Sequence, residues 1–217
     1  MKRGAIFDMD GTVADSMWVW QEVDRVWMQM HNIPPSEELN HVLKTSPFPV
    51  SAQYVIEHYD LKQTQEDVMR QWRDLAADAY EHAVLLKEGV LDFLQYLKEN
   101  DVAMTLATSC LKDPCFRLLH KYELGRYFDH VLFTQDFHTD KRKPDLYLAC
   151  AEVMGITPEE CVVFEDIRPA LEGASLAGMK TVAVYDAVAS EPWAETVHAA
   201  TASIRYWQEA KDVWESL

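Results

Sequence analysis

The chain has 217 residues and a mass of 25.0 kDa, enough for one large domain or a core with a small companion. Hydrophobic residues at 48% and charged residues at 26% describe a globular chain and exclude long disordered or collagen-like tracts. A net charge of −16 opposes any broad phosphate-backbone or anionic-lipid surface, so nucleic acid and membrane are excluded as expected partners.

The opening run 4–7 is short, apolar and stopped by Asp8, as expected of a buried parallel strand that ends at a functional loop. Asp8 also arrives too early for a secretory apolar stretch, so the expected location is the cytoplasm. From Met17 the period changes. Trp20, Val23, Trp27 and Met30 recur in steps of three and four, which predicts one buried face of a helix ending before Pro34 and Pro35. Ser36 is placed to cap a second helix through Leu43. After a break at Pro47 and Pro49, helices are expected over 51–59 and 64–82, the latter capped by Thr64 with Asp67 three residues on.

Beyond Gly89 strand and helix patterns alternate. Helices are expected over 90–99, 113–121, 144–154 and 168–177, and strands over 102–107, 130–133, 161–164 and 180–184. The tail after Pro192 predicts a helix ending at Trp214 and a short edge strand at 203–205. Strands joined by helix-length returns favour a doubly wound parallel α/β sheet. The expected organisation is a core, residues 1–14 and 86–217, with a helical insertion at 15–85. The four cysteines, Cys110, Cys115, Cys150 and Cys161, lack the spacing of zinc or redox pairs and are expected as reduced thiols.

Chemistry in such a sheet belongs beyond the carboxyl ends of the strands. There the chain places Asp8-Met9-Asp10-Gly11-Thr12, then Thr108-Ser109, then the basic run from Lys141, then Glu165-Asp166. Each alone is a common acidic turn, cap or surface lysine. Together they supply the parts of phosphoryl transfer through an aspartyl phosphate. Asp8 is the candidate nucleophile and Asp10 the acid/base. The side chains of Asp8 and Asp166 with the Asp10 main-chain carbonyl form a partial hard-oxygen shell for Mg²⁺, and Glu165 supports from behind.

These motifs, with Leu106-Ala107-Thr108-Ser109, Phe164-Glu165-Asp166, Gly173-Ala174 and Ala177-Gly178-Met179, resemble those of the haloacid dehalogenase-like hydrolase superfamily. The likeness is to its helical-cap branch, which holds β-phosphoglucomutases and phosphatases. The resemblance implies a Rossmann-like core, Asp8 as nucleophile, Asp10 as acid/base, Thr108 as a phosphoryl ligand and Asp166 as a metal ligand. Gly11, Thr12 and Ser109 are the accompanying phosphate-binding candidates. Aligning Pro144-Asp145 with the family's K-P-x-P-D stretch puts Lys141 at the catalytic lysine, with Lys143 as the other choice. Ile167 and Ala170 depart from the family's usual serine and glycine. The second aspartate, Asp10, separates the chain from the dehalogenases themselves and favours a phosphatase.

The expected activity is Mg²⁺-dependent hydrolysis of a small phosphomonoester, such as a sugar phosphate, by a monomer. One alternative is a mutase resembling β-phosphoglucomutase. That mutase has a cap histidine and an arginine-bearing stretch, where this chain has Trp20 and the arginine-free run 44–51. The other is a non-catalytic binding protein, against which stands the complete set of charged motif residues. Trp18, off the helical stripe and near the hinge, is a candidate for the substrate entrance.

Overall fold

The computed structural model describes residues 3–46, 48–189 and 192–217, with the backbone alone at 44 and 45. Two compact units emerge, Met1–Met17 with Val84–Leu217, and Trp18–Ala83. The first is built on a sheet. Its strands are β1 (Gly4–Phe7), β4 (Ala103–Thr108), β5 (His130–Phe133), β6 (Cys161–Glu165), β7 (Lys180–Val184) and β8 (Ala202–Ile204), all parallel, in the order β5-β4-β1-β6-β7-β8. Between β1 and β4 the chain also forms a small antiparallel ribbon, β2 (Ala14–Asp15) with β3 (Leu85–Leu86). Strands of two residues carry no readable period, and the sequence pattern does not announce this ribbon.

The Trp18–Ala83 unit contains α1 (Val19–Met30), α2 (Glu37–Thr45), α3 (Phe48–His58) and α4 (Gln65–His82), with α1 and α3 both packed on α4. Ser36 Oγ accepts from the Leu39 N–H at 3.1 Å, and Thr64 with Asp67 closes a capping box, so both expected caps are in place. Two expectations are corrected. α3 begins at Phe48 rather than at 51, because Pro49 falls in its first turn, where a missing N–H costs no helical bond; Pro47 lies outside the described residues. The buried face of α1 is Val19, Val23, Trp27 and Met28, whereas Trp20 and Met30 are 37% and 58% exposed. Those two occupy the first and last turns, where a helix has neighbours on one side only; Trp20 meets Phe48 edge to face at 5.2 Å. At the centre, Trp27 and Trp72 cross at 5.5 Å and the Trp27 indole donates to Gln71 Oε1 at 2.8 Å.

Helices α5 (Val90–Glu99), α6 (Lys112–Lys121), α7 (Asp145–Met154), α8 (Arg168–Leu176), α9 (Trp193–His198) and α10 (Ala210–Ser216) complete the sheet unit. The expected short edge strand of the tail is present as β8, but the tail carries two helices, one on each side of it, where one was expected. Alternation along β1 sends Phe7 to one face and Ile6 to the other. Phe7 stacks on Phe164 with ring centroids 4.9 Å apart, and Phe93, Phe128 and Trp207 close around the pair. Ile6 enters a second cluster with Leu146, Tyr147, Cys150 and Ala174 from α7 and α8. Covered on both faces, the strands read as continuous apolar runs, which is why their ends are sharp in the sequence.

Gly173 on α8 lies against the loop before α7: a Cβ there would overlap the Lys141 carbonyl oxygen, with the Lys141 and Arg142 carbonyl carbons at 3.0 Å. Backbone cannot yield as a flexible side chain would, so Gly173→Ala is expected to cost about 2 kcal/mol. Urea denaturation checks this, and a midpoint equal to wild type would show that the loop gives way freely.

Candidate active site

Sheet register assembles the site. Phe7 is level with Leu106 on β4 and Phe164 on β6, so Asp8 leaves β1 beside the ends of both neighbours, and its N–H donates to the Phe164 carbonyl at 3.0 Å. Thr108 ends β4, Glu165 ends β6 and Asp166 follows it. All four are buried. The Asp8–Ala14 loop then folds back tightly, with Val13 and Ala14 N–H groups on the Met9 carbonyl and the Gly11 N–H on the Ala14 carbonyl. Gly11 sits at φ +85°, and a Cβ there would run into the Asp166 carboxylate, so the turn needs glycine twice over.

The loop's side chains are fixed in turn. Thr12 Oγ1 donates to Asp166 Oδ1 at 3.3 Å, and the Thr12 carbonyl accepts from the Trp207 indole at 3.2 Å. Ser16 Oγ donates to Asp10 Oδ1 at 2.6 Å. Thr108 Oγ1 accepts from the Cys110 N–H at 2.9 Å, and exposed Ser109 receives a bond from Thr134 at 3.4 Å. Ser16 and Trp207 are residues that motif reasoning does not mark: Ser16 belongs to no chemical pattern, and Trp207 is 195 positions from its partner. Trp18 stands immediately before α1, half-buried, in the helical unit.

Of the two lysine choices, Lys141 is buried and ion-paired with Asp8, and it reaches Glu165 Oε1 at 3.2 Å; Lys143 is exposed. Burial alone would lower the Lys141 pKa, but the Asp8 and Glu165 carboxylates outweigh it and hold the ammonium well above the ordinary lysine value. The carboxyls feel the opposite pressure. Burial, then the neighbouring Asp8 charge, pushes Glu165 well up and Asp166 to about 8; burial also raises Asp8, against the pull of Lys141. Buried Cys115, beside Asp10 and Asp8, is likewise held as a thiol.

Oxygen atoms of Asp8, Glu165 and Asp166 lie within 4.8 Å of one another, and Glu165 Oε2 and Asp166 Oδ2 are buried with no hydrogen-bond partner among the described residues. Clustered carboxyl oxygens with no hydrogen-bond partner are what a hard divalent cation can satisfy. The side chain of Asp10 is turned to Ser16 and is outside this group, while Glu165 is within it. Ile167, in place of the usual serine, leaves α8 without a side-chain cap.

Between the ordinary aspartate value of 3.8 and about 8, the folded chain holds a proton on Asp166 that the unfolded chain has released. Stability of the chelator-treated protein therefore falls as pH rises through that window. Thermal melts from about pH 5 to about pH 8 should show a steeper decline for wild type than for Asp166→Asn; parallel curves would contradict the assignment.

Comparison with known proteins places this geometry. Residues 5–184 match the family model described as haloacid dehalogenase-like hydrolase. A phosphorylated carbohydrates phosphatase of Thermotoga maritima is 26% identical over 180 residues, 83% of each chain. The fructose-1-phosphate phosphatase of Escherichia coli is 32% identical over 193 residues, 83% of this chain and 95% of that one. The crystal structure of a Clostridium difficile β-phosphoglucomutase shares the fold with a TM-score of 0.74 at 17% identity, covering 100% of this chain and 96% of that one. With more than four-fifths of its length matched by the family model, the chain belongs to the haloacid dehalogenase-like hydrolases.

Proposed function

We propose that the protein is a Mg²⁺-dependent phosphatase of small phosphomonoesters, sugar phosphates foremost, that works through an aspartyl phosphate on Asp8. The observation that carries this reading is the Asp8–Lys141 contact: a buried carboxylate at a strand end, paired to an ammonium and flanked by two further carboxylates. A structural ion pair needs one carboxylate; here the lysine meets two and a third clusters with them, a surplus of negative charge that a second cation would offset. The phosphatase names of the two curated relatives support the substrate class.

In this reading the side chains of Asp8 and Asp166 and the main-chain carbonyl of Asp10 hold the metal, with Glu165 beside them. Bound there, Mg²⁺ supplies positive charge against the phosphoryl oxygens and the crowded carboxylates. Asp8 attacks phosphorus while Asp10 gives its proton to the departing alkoxide; water then attacks the acyl phosphate as Asp10 takes a proton back, releasing phosphate and restoring Asp8. Lys141, Thr108 and Ser109 hold the phosphoryl oxygens, and Gly11 and Thr12 give the loop its shape. Ser16, bonded to Asp10 Oδ1, orients that carboxyl. The helical unit, 15–85 by the sequence reading, is the cap. No described helix is long and apolar enough to cross a membrane; on its sequence, the protein is further proposed to be a cytoplasmic monomer.

Asp8→Asn is expected to lower turnover of an aryl phosphate at least ~10³-fold with the far-ultraviolet spectrum unchanged, and retained activity would refute the nucleophile. Chelation should abolish turnover of wild type, and added Mg²⁺ should restore it; turnover indifferent to chelator would remove the metal from the scheme. A panel of phosphorylated metabolites should yield free phosphate. Isomerised sugar phosphate as the product would favour the mutase alternative instead.

A further inference from the structure

One buried ion pair in the sheet unit has no part in the scheme above. Lys87 directly follows β3. Its N–H donates to the Val13 carbonyl at 2.9 Å, and its ammonium donates to the Tyr185 carbonyl at 2.7 Å and meets Asp186 Oδ2 at 2.8 Å. Asp186, two residues past the end of β7, is fixed as well, since its Oδ1 accepts from the Val188 N–H at 2.7 Å. The two side chains are only 15% and 3% exposed. Burying such a pair gains little stability over an apolar pair of similar volume, so stability alone does not account for it.

Position does. The Val13 carbonyl that Lys87 holds lies next to Thr12, whose hydroxyl holds Asp166 Oδ1. Asp166 and Asp186 follow the neighbouring strands β6 and β7. The contacts therefore form a closed ring: from β6 through Asp166, Thr12, Val13 and Lys87 to Asp186, and back to β6 through the β6–β7 pairing. One link of this ring is the loop that also carries Asp10 and Gly11; another is the segment by which the chain returns from residues 18–83. We infer that Lys87 and Asp186 are positioning residues for the cation site: their pair closes the ring that fixes Thr12, and so holds the Asp166 carboxylate where a divalent ion meets Asp8. This rests on the metal reading above.

Geometry and charge predict opposite patterns, which makes the inference testable. Acting through charge alone, loss of the ammonium would tighten cation binding and loss of the Asp186 carboxylate would loosen it. Acting through the ring, both losses loosen it. Calorimetric titration of purified full-length protein with Mg²⁺ reads this without reference to turnover. Lys87→Met and Asp186→Asn are each expected to weaken Mg²⁺ binding by about tenfold, with the double variant no weaker than either single one. Lys87→Arg, whose guanidinium can span Asp186 and the Tyr185 carbonyl, should bind nearly as wild type. Shifts of opposite sign in the two single variants, or no shift in either, would overturn the inference. Where a single variant fails to fold because a charge is left unpaired, Lys87→Met with Asp186→Leu leaves none and carries the same expectation; wild-type affinity in that folded double variant would overturn it. Wild-type protein that takes up no Mg²⁺ would overturn the metal reading together with this one, whereas wild-type uptake with unaltered variants overturns the ring alone.

Discussion

One ammonium stands among three buried carboxylates, and the rest of the site follows from that imbalance. Lys141 can compensate a single charge, so with Asp8, Glu165 and Asp166 all ionised two negative charges are left in a region largely withdrawn from solvent. An uncompensated interior ion costs several kcal/mol. The protein meets part of this cost by holding protons on carboxyls, as the raised pKa values of Asp166 and Glu165 indicate. A divalent ion meets it in another way, by turning crowded oxygens into ligands. In the proposed function, the same crowding that destabilises the site without a cation is what would draw one in.

The fold's contribution is to bring these groups together by strand register. Three adjacent strands end level with one another, so residues over 150 positions apart in sequence become neighbours through backbone hydrogen bonds alone. The close approach of Gly173 to Lys141, and of Gly11 to Asp166, shows that α8 is packed to backbone distance on the Lys141 loop and that the Gly11 turn is packed as tightly on the Asp166 carboxylate. Aromatic packing reaches the same loop from below: Trp207 stands in the Phe7–Phe164 cluster and donates to Thr12. Core packing and site geometry thus meet in one residue.

The strands were legible because each is covered on both faces and stops at a polar residue; β5 and β7 have the bounds that their apolar runs suggest. Caps at Ser36 and Thr64 were legible for a similar reason, since each places an acceptor where orphan N–H groups begin. What failed were features decided by neighbours rather than by spacing. Helical period cannot say that Trp20 and Met30 sit at helix ends, and it misjudges Pro49, which the first turn of α3 tolerates. The β2–β3 ribbon is too short to show a pattern. In the site, Asp8, Thr108 and Asp166 could be named from strand ends, and Lys141 from the family resemblance of the stretch that ends in Pro144-Asp145. Ser16, Trp207 and Lys87 could not, because their partners are defined only by the folded loop.

The account stands on Asp8 carrying the phosphoryl group, and borohydride trapping tests that most directly. Enzyme quenched during turnover of an aryl phosphate is reduced, which converts an acyl phosphate to an alcohol, and peptide masses are then compared with those of unreacted enzyme. The account predicts a mass change confined to the peptide bearing Asp8 and localised to that residue by fragmentation. A change at another carboxylate, or none at any residue in enzyme shown to be turning over, would contradict it.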